Sequence, residues 1–139
     1  MKAFALAFLV LFAGNALACS CSDWGTAREM LADADAAFLG NVASARVGEI
    51  SRDSGEPLMV TTFRTIKAYK PLNARKFIVR SEKGDGGNCG TDFQRGVIYL
   101  VFAYKSGGKL YTDSCSISQG PVDREMRAFL LDLERASRE

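Results

Sequence analysis

The chain has no histidine at all. The commonest general base, proton shuttle and metal ligand is therefore missing, and no nucleophile elbow, phosphate-binding loop or metal-binding helix motif stands in for it. The chain is read as something other than an enzyme. It also lacks an excess of either charge, with 18 basic residues against 16 acidic ones, so it offers no polycation for nucleic acid. Tryptophan occurs once, proline three times and cysteine four times. A long apolar run occurs only at the start, and no repeat or low-complexity tract breaks the remainder.

That first run has the form of an export signal. Met1-Lys2 supplies a minimal positive region, Ala3 to Gly14 is almost wholly apolar yet too short for a permanent membrane span, and Ala16-Leu17-Ala18 is the small-x-small pattern cut by signal peptidase. Residues 1–18 are expected to be removed, leaving one exported domain over 19–139, secreted or periplasmic, with no stable membrane span. The signal's plainness is of a bacterial kind. Loss of Lys2 leaves seventeen basic residues against sixteen acidic ones, close to neutral. The mature chain then begins at Cys19 with a free α-amine. Ala16-Leu17-Ala18-Cys19 is also a near miss to a lipobox, which has Leu at its first position; lipidation would consume the Cys19 thiol, block the amine and leave an odd number of cysteines.

An even set of four cysteines behind an export signal reads as two disulfides, because the compartment beyond the membrane is oxidising. A bond between Cys19 and Cys21 would close a strained small ring, so each is expected to reach a distant partner, Cys89 or Cys115. Loops of roughly seventy to ninety residues closed this way stabilise a fold by about 4 to 5 kcal/mol in the chain-entropy treatment. A zinc site built from all four cysteines is the rival, but Cys-x-x-Cys knuckles and a reducing compartment are both missing.

Thr26-Ala27-Arg28-Glu29 is a capping box, and Ala27, Met30, Leu31 and Ala34 follow at helical spacing, so a helix is expected over Thr26–Asp33. Trp24, just before it, is expected to cover one end of the core. Strands are expected over Ala36–Val47, with a bend or bulge at Gly40, over Leu58–Tyr69, stopped by Pro71, over Lys76–Ser81, and over the hairpin Val97–Tyr104 and Lys109–Ser114. Gly48 to Pro57 reads as a polar loop. Gly84 to Gly90 lacks both the Lys-Ser/Thr of a phosphate loop and the ligand series of a calcium loop, so it is a connector carrying Cys89. Asp33 with Asp35, and Asp113, are read as solvated or capping carboxylates. Gly120-Pro121 is expected to open a terminal amphipathic helix whose stripe is Val122, Met126, Phe129, Leu130 and Leu133. Five strands, one bent by glycine, with flanking helices, read as a mainly β chain forming a small barrel of the OB type.

The cysteines, the strand order and the local sequence together resemble the tissue inhibitors of metalloproteinases. The resemblance spans nearly all of the mature chain: Cys19-Ser20-Cys21-Ser22 is similar to that family's mature N-terminus, followed by Asp33-Ala34-Asp35, Ile66-Lys67-Ala68-Tyr69-Lys70, Cys89-Gly90, Tyr99-Leu100, and Gly108-Lys109 ahead of Cys115. It implies a netrin-like OB barrel with Cys19 bonded to Cys89 and Cys21 to Cys115. It further implies an inhibitor of zinc metalloproteases, in which the α-amine and carbonyl oxygen of Cys19 chelate the target's catalytic zinc and Ser20 enters the pocket beside it. Cys21 and Ser22 would continue along the substrate groove, and Asn88 and Cys89 are expected to join them in binding the target. The zinc belongs to the partner protease; the chain has no cofactor of its own and is expected to be a monomer. The chemistry is reasonable, since an α-amine of ordinary pKa about 8 loses its proton cheaply near neutrality and metal coordination favours that loss further.

The chain departs from the family in several places. The third disulfide, from the first helix to the chain end, is missing in both halves, with Ala32 near one expected position; no second six-cysteine domain follows; Asp23 stands where proline is frequent; and Gly87-Asn88 replaces bulkier residues. A netrin-like binding module that inhibits nothing is the alternative from a different functional class.

Overall fold

The computed structural model describes residues 19–85, 88–119 and 123–139. The expected signal peptide, Gly86-Gly87 and Gly120-Pro121-Val122 lie outside the described residues. Among those described, the elements in chain order are α1 (Ala27–Asp33), β1 (Ala36–Ile50), β2 (Pro57–Lys70), β3 (Lys76–Glu82), β4 (Ile98–Ser106), β5 (Lys109–Tyr111), β6 (Ile117–Gln119) and α2 (Arg124–Ala136).

The chain is mainly β, and five of its strands form a ring. β1 pairs with β2, β2 with β3, β3 with β5, β5 with β4, and β4 returns to β1. The β3–β5 contact is parallel and the others are antiparallel. β6 lies beside β5 on the same edge of β4, with Val101 opposite Ile117 and Tyr99 opposite Gln119. Closing the ring requires the long strands to curl, and β1 does so through register shifts, one of them between Leu39 and Gly40. A Cβ on Gly40 would lie 3.1 Å from the Phe38 ring and 3.3 Å from the Arg64 carbonyl oxygen, so the curl is made where a side chain would be tightly crowded.

Alternation along the central strands separates two apolar layers. Ala36, Phe38, Val42, Phe63, Phe77, Val79, Phe93, Tyr99, Val101 and Ala103 fill the inside of the ring. Phe38 stacks on Phe77 with centroids 4.1 Å apart, and Phe63 meets Phe38 edge-on. The opposite face, with Ala37, Leu100 and Phe102, is covered by Ala27, Leu31 and Ala34 around α1 and by Leu133 of α2. β4 is therefore buried on both sides along most of its length. Of the expected α2 stripe, Leu133 is fully buried while Met126, Phe129 and Leu130 are partly buried against the same layer.

Several expected boundaries are corrected. Gly48 does not begin the loop: β1 pairs with β2 as far as Ile50 opposite Pro57, because a register shift between Val47 and Glu49 absorbs the glycine within the strand. β5 ends at Tyr111 rather than Ser114, since the Asp113 carboxylate accepts from Cys115 N at 2.9 Å and turns the chain. β6 was not expected; three residues are too few for a period, and only β4 makes them a strand. α2 opens at Arg124 with Asp123 as its cap, accepting from Met126 N at 2.7 Å. At α1 both halves of the capping box form, with Thr26 N donating to Glu29 Oε2 at 2.8 Å and Glu29 N to Thr26 Oγ1 at 3.3 Å.

No disulfide joins α1 to the chain end. Arg28 instead makes an ion pair with Glu139, and Lys70 Nζ donates to the carbonyls of Leu31 and Ala34, at 3.1 and 2.6 Å, tying the end of α1 to β2. The Arg28 pair is exposed, and pairs of that kind contribute about 0 to 1 kcal/mol, so the helices are held chiefly by their shared apolar layer.

Candidate functional site: the disulfide-anchored segment

Cys19 to Trp24 has no regular secondary structure, and three different attachments hold it to one end of the sheet. Cys19 is bonded to Cys89 in the connector after β3, and Cys21 to Cys115 between β5 and β6. Trp24 Nε1 donates to the Cys115 carbonyl at 2.7 Å, while its ring packs edge-on against Phe102 and at a tilt against Phe129. The expectation that Trp24 covers one end of the core holds, and the indole also fastens the segment to the loop carrying Cys115.

The two disulfides touch. Cys19 Sγ lies 3.6 Å from Cys115 Sγ and 3.7 Å from Ser114 Oγ. The sulfurs of Cys19, Cys21 and Cys115 all lie within 4.8 Å of one another, but every cysteine is oxidised in pairs and no thiolate is available as a ligand. The two loops are linked directly as well, since Ser114 N donates to the Cys89 carbonyl at 2.9 Å.

Connector geometry depends on Asn88 and Gly90. Asn88 Nδ2 donates to the Lys83 carbonyl at 3.0 Å, its Oδ1 accepts from Gly90 N at 3.1 Å, and its own N–H donates to Asp85 Oδ1 at 2.8 Å. Gly90 passes directly over the end of β3: a Cβ there would lie 2.5 Å from the Glu82 carbonyl oxygen and 2.6 Å from that of Lys83. Thr91 N then donates to the same Glu82 carbonyl at 2.9 Å. These contacts set the height at which Cys89 presents its sulfur.

Ser20, Cys21, Ser22 and Cys89 are exposed, whereas Cys19 and Asn88 are partly buried. Among the described residues neither the Ser20 nor the Ser22 hydroxyl has a hydrogen-bond partner. Beside the segment, a groove of about 750 Å³ runs from Cys89 and Asp113 past Tyr111 to Glu49 and the loop around Arg52. On its wall Glu49 accepts from Arg80 Nε and Nη2 at 3.1 and 3.0 Å and from Lys109 at 3.4 Å. The Arg80 hydrogen bond is the main cause that lowers the Glu49 pKa, against a smaller opposing effect of burial.

All six expected site residues, Cys19, Ser20, Cys21, Ser22, Asn88 and Cys89, thus come together at one end of the sheet. Asn88 differs from the rest in that its amide is engaged within the connector. Sequence reasoning missed Ser114, packed against the Cys19 sulfur, and the structural demand on Gly90, whose only signal was its place next to a cysteine. Asp35 and Asp113 act as backbone acceptors, Asp35 Oδ2 from Lys105 N at 2.6 Å.

No protein-family model matches the chain, and no curated protein matches it. Among the described residues no helix is long and apolar enough to cross a membrane.

Proposed function

We propose that the mature chain is an exported inhibitor of zinc metalloproteases, of the netrin-like OB type, acting through its own N-terminus. The observation that carries this reading is the pair of adjacent disulfides that fixes the irregular segment Cys19 to Ser22 at an exposed end of the ring. After cleavage at Ala18, the Cys19 amine and carbonyl oxygen close a five-membered chelate on the partner's zinc and displace its water. Ser20, exposed and unpaired among the described residues, enters the pocket beside the metal, and Cys21 and Ser22 follow the groove. Two covalent anchors and the Trp24 hydrogen bond restrict the segment before it binds, which reduces the ordering cost of association. Asn88 serves by holding Cys89 in place.

The test is a register change at the terminus. A single alanine added before Cys19 moves the amine off the chelating residue while leaving both disulfides intact. Inhibition should fall by roughly a hundredfold or more, since each loss of about 1.4 kcal/mol is tenfold in affinity and metal coordination supplies several such steps. Equal potency of the extended and authentic proteins refutes chelation by the terminus. Absence of inhibition by the authentic protein, across a panel of zinc metalloproteases, transfers the function to a non-inhibitory binding module.

A further inference from the structure

We propose that the two disulfides together form a thiol–disulfide exchange site, at which a low-molecular-weight thiol converts the native pairing into a Cys19–Cys115 bond. The inference does not depend on protease inhibition. It follows from which half-cystine residues are exposed and which sulfurs are adjacent. In each bridge one half-cystine belongs to an exposed residue, Cys89 or Cys21, and the other to a partly buried one, Cys19 or Cys115. The two inner sulfurs are the ones that face each other, 3.6 Å apart. A disulfide bond is about 2.05 Å long, so an approach of roughly 1.5 Å would join them, once the sulfur freed from its own bridge has swung into line with the bond it breaks, since the sulfurs of Cys19, Cys21 and Cys115 now lie within 4.8 Å of one another.

Exchange proceeds by attack of a thiolate on one sulfur of a disulfide, with the other sulfur leaving as thiolate. An external thiolate that attacks Cys89 Sγ forms a mixed disulfide there, and the electron pair of the broken bond leaves on Cys19. Cys19 then attacks Cys115 Sγ: the Cys19–Cys115 bond forms, the Cys21–Cys115 bond breaks, and Cys21 departs as a thiolate that takes a proton from water. A second external thiol resolves the mixed disulfide, giving the oxidised small thiol and free Cys89. Overall, two small thiols are oxidised to one disulfide and one protein disulfide is reduced. Entry at Cys21 leads to the same place, because the thiolate released there is Cys115, whose neighbour is Cys19. Either exposed half-cystine can be attacked, and both routes leave the same inner bond.

The consequence is a defined change at the terminal segment. Cys19 transfers from the connector to the loop between β5 and β6, and Cys21 is released. A site built only as two independent staples would instead lose them one at a time, leaving one native bond.

The experiment treats the fully oxidised mature protein with reduced glutathione at about pH 8, quenches at short times by alkylation, and maps the one-disulfide fraction without reduction. Trypsin leaves Cys19 and Cys21 in one peptide, so fragment ions must place the alkyl group on one or the other. The expected species has Cys19 joined to Cys115 with Cys21 and Cys89 alkylated, in about tenfold excess over either native single bond, because an intramolecular thiolate acts at an effective concentration far above that of the added thiol. Predominance of a native Cys21–Cys115 or Cys19–Cys89 bond overturns the proposal, as does direct passage to four thiols. The double variant Cys21→Ser/Cys89→Ser gives an independent reading: oxidised glutathione should close Cys19–Cys115, and two persistent thiols in a protein of unchanged circular dichroism refute the adjacency.

Discussion

Replacing Gly90 with alanine tests whether the site is positioned by backbone packing as well as by its bridges. The added methyl group would lie 2.5 Å from the Glu82 carbonyl oxygen, 2.6 Å from that of Lys83 and 2.8 Å from the Lys83 carbonyl carbon. All three are main-chain atoms at the end of β3, so no side chain can rotate away. The connector must lift, and it then loses the Thr91 N to Glu82 O hydrogen bond of 2.9 Å. Forcing a methyl group into filled space costs about 1 to 3 kcal/mol, and the lost hydrogen bond about 1 more. At roughly 3 to 5 °C per kcal/mol for a chain of this size, the melting temperature should fall by about 6 to 20 °C. Calorimetry on the oxidised mature protein measures this, with Gly84→Ala as control, whose methyl group would approach nothing closer than 3.3 Å. The disulfides of both variants are mapped first so that the same covalent state is compared. A Gly90→Ala protein as stable as the Gly84→Ala control refutes the view that the connector is seated on β3.

Trp24→Phe should keep most of the contact with Phe102 and Phe129 but leave the Cys115 carbonyl without its donor, lowering stability by about 1 to 2 kcal/mol in a denaturant titration; an unchanged midpoint removes Trp24 from the set of anchors. Glu49→Gln should flatten the acid limb of the stability profile. The folded pKa of Glu49 lies below its ordinary 4.5, so its contribution is fully present above that value and is lost as pH falls through the lowered pKa. Melting temperatures of parent and variant across the acid range should therefore converge at low pH, and a constant offset contradicts the assignment. Ser20→Gly should weaken protease binding broadly and Ser20→Leu should favour targets with deep pockets, with little change in melting temperature because Ser20 is exposed; an unaltered rank order of inhibition constants for both counts against Ser20 as the residue entering the pocket.

Local chemistry in the sequence determined much of the chain. The capping box starts α1 where Thr26 and Glu29 said it would, because both partners of the motif lie within one turn. Four long strands were legible from their β-branched and aromatic runs, and a glycine among large residues marked the bend of β1. An even count of cysteines indicated two bridges; their partners came only from the family resemblance, because spacing along a chain cannot say which ends of a sheet meet. What tertiary structure decided is of that second kind. β6 is a strand only because β4 offers it an edge. The indole that fastens the terminal segment and the two inner sulfurs in contact join residues far apart in the chain. Such contacts exist only once the sheet has closed into a ring, since closure is what brings the connector, the β5–β6 loop and the segment from Cys19 to Trp24 to the same end.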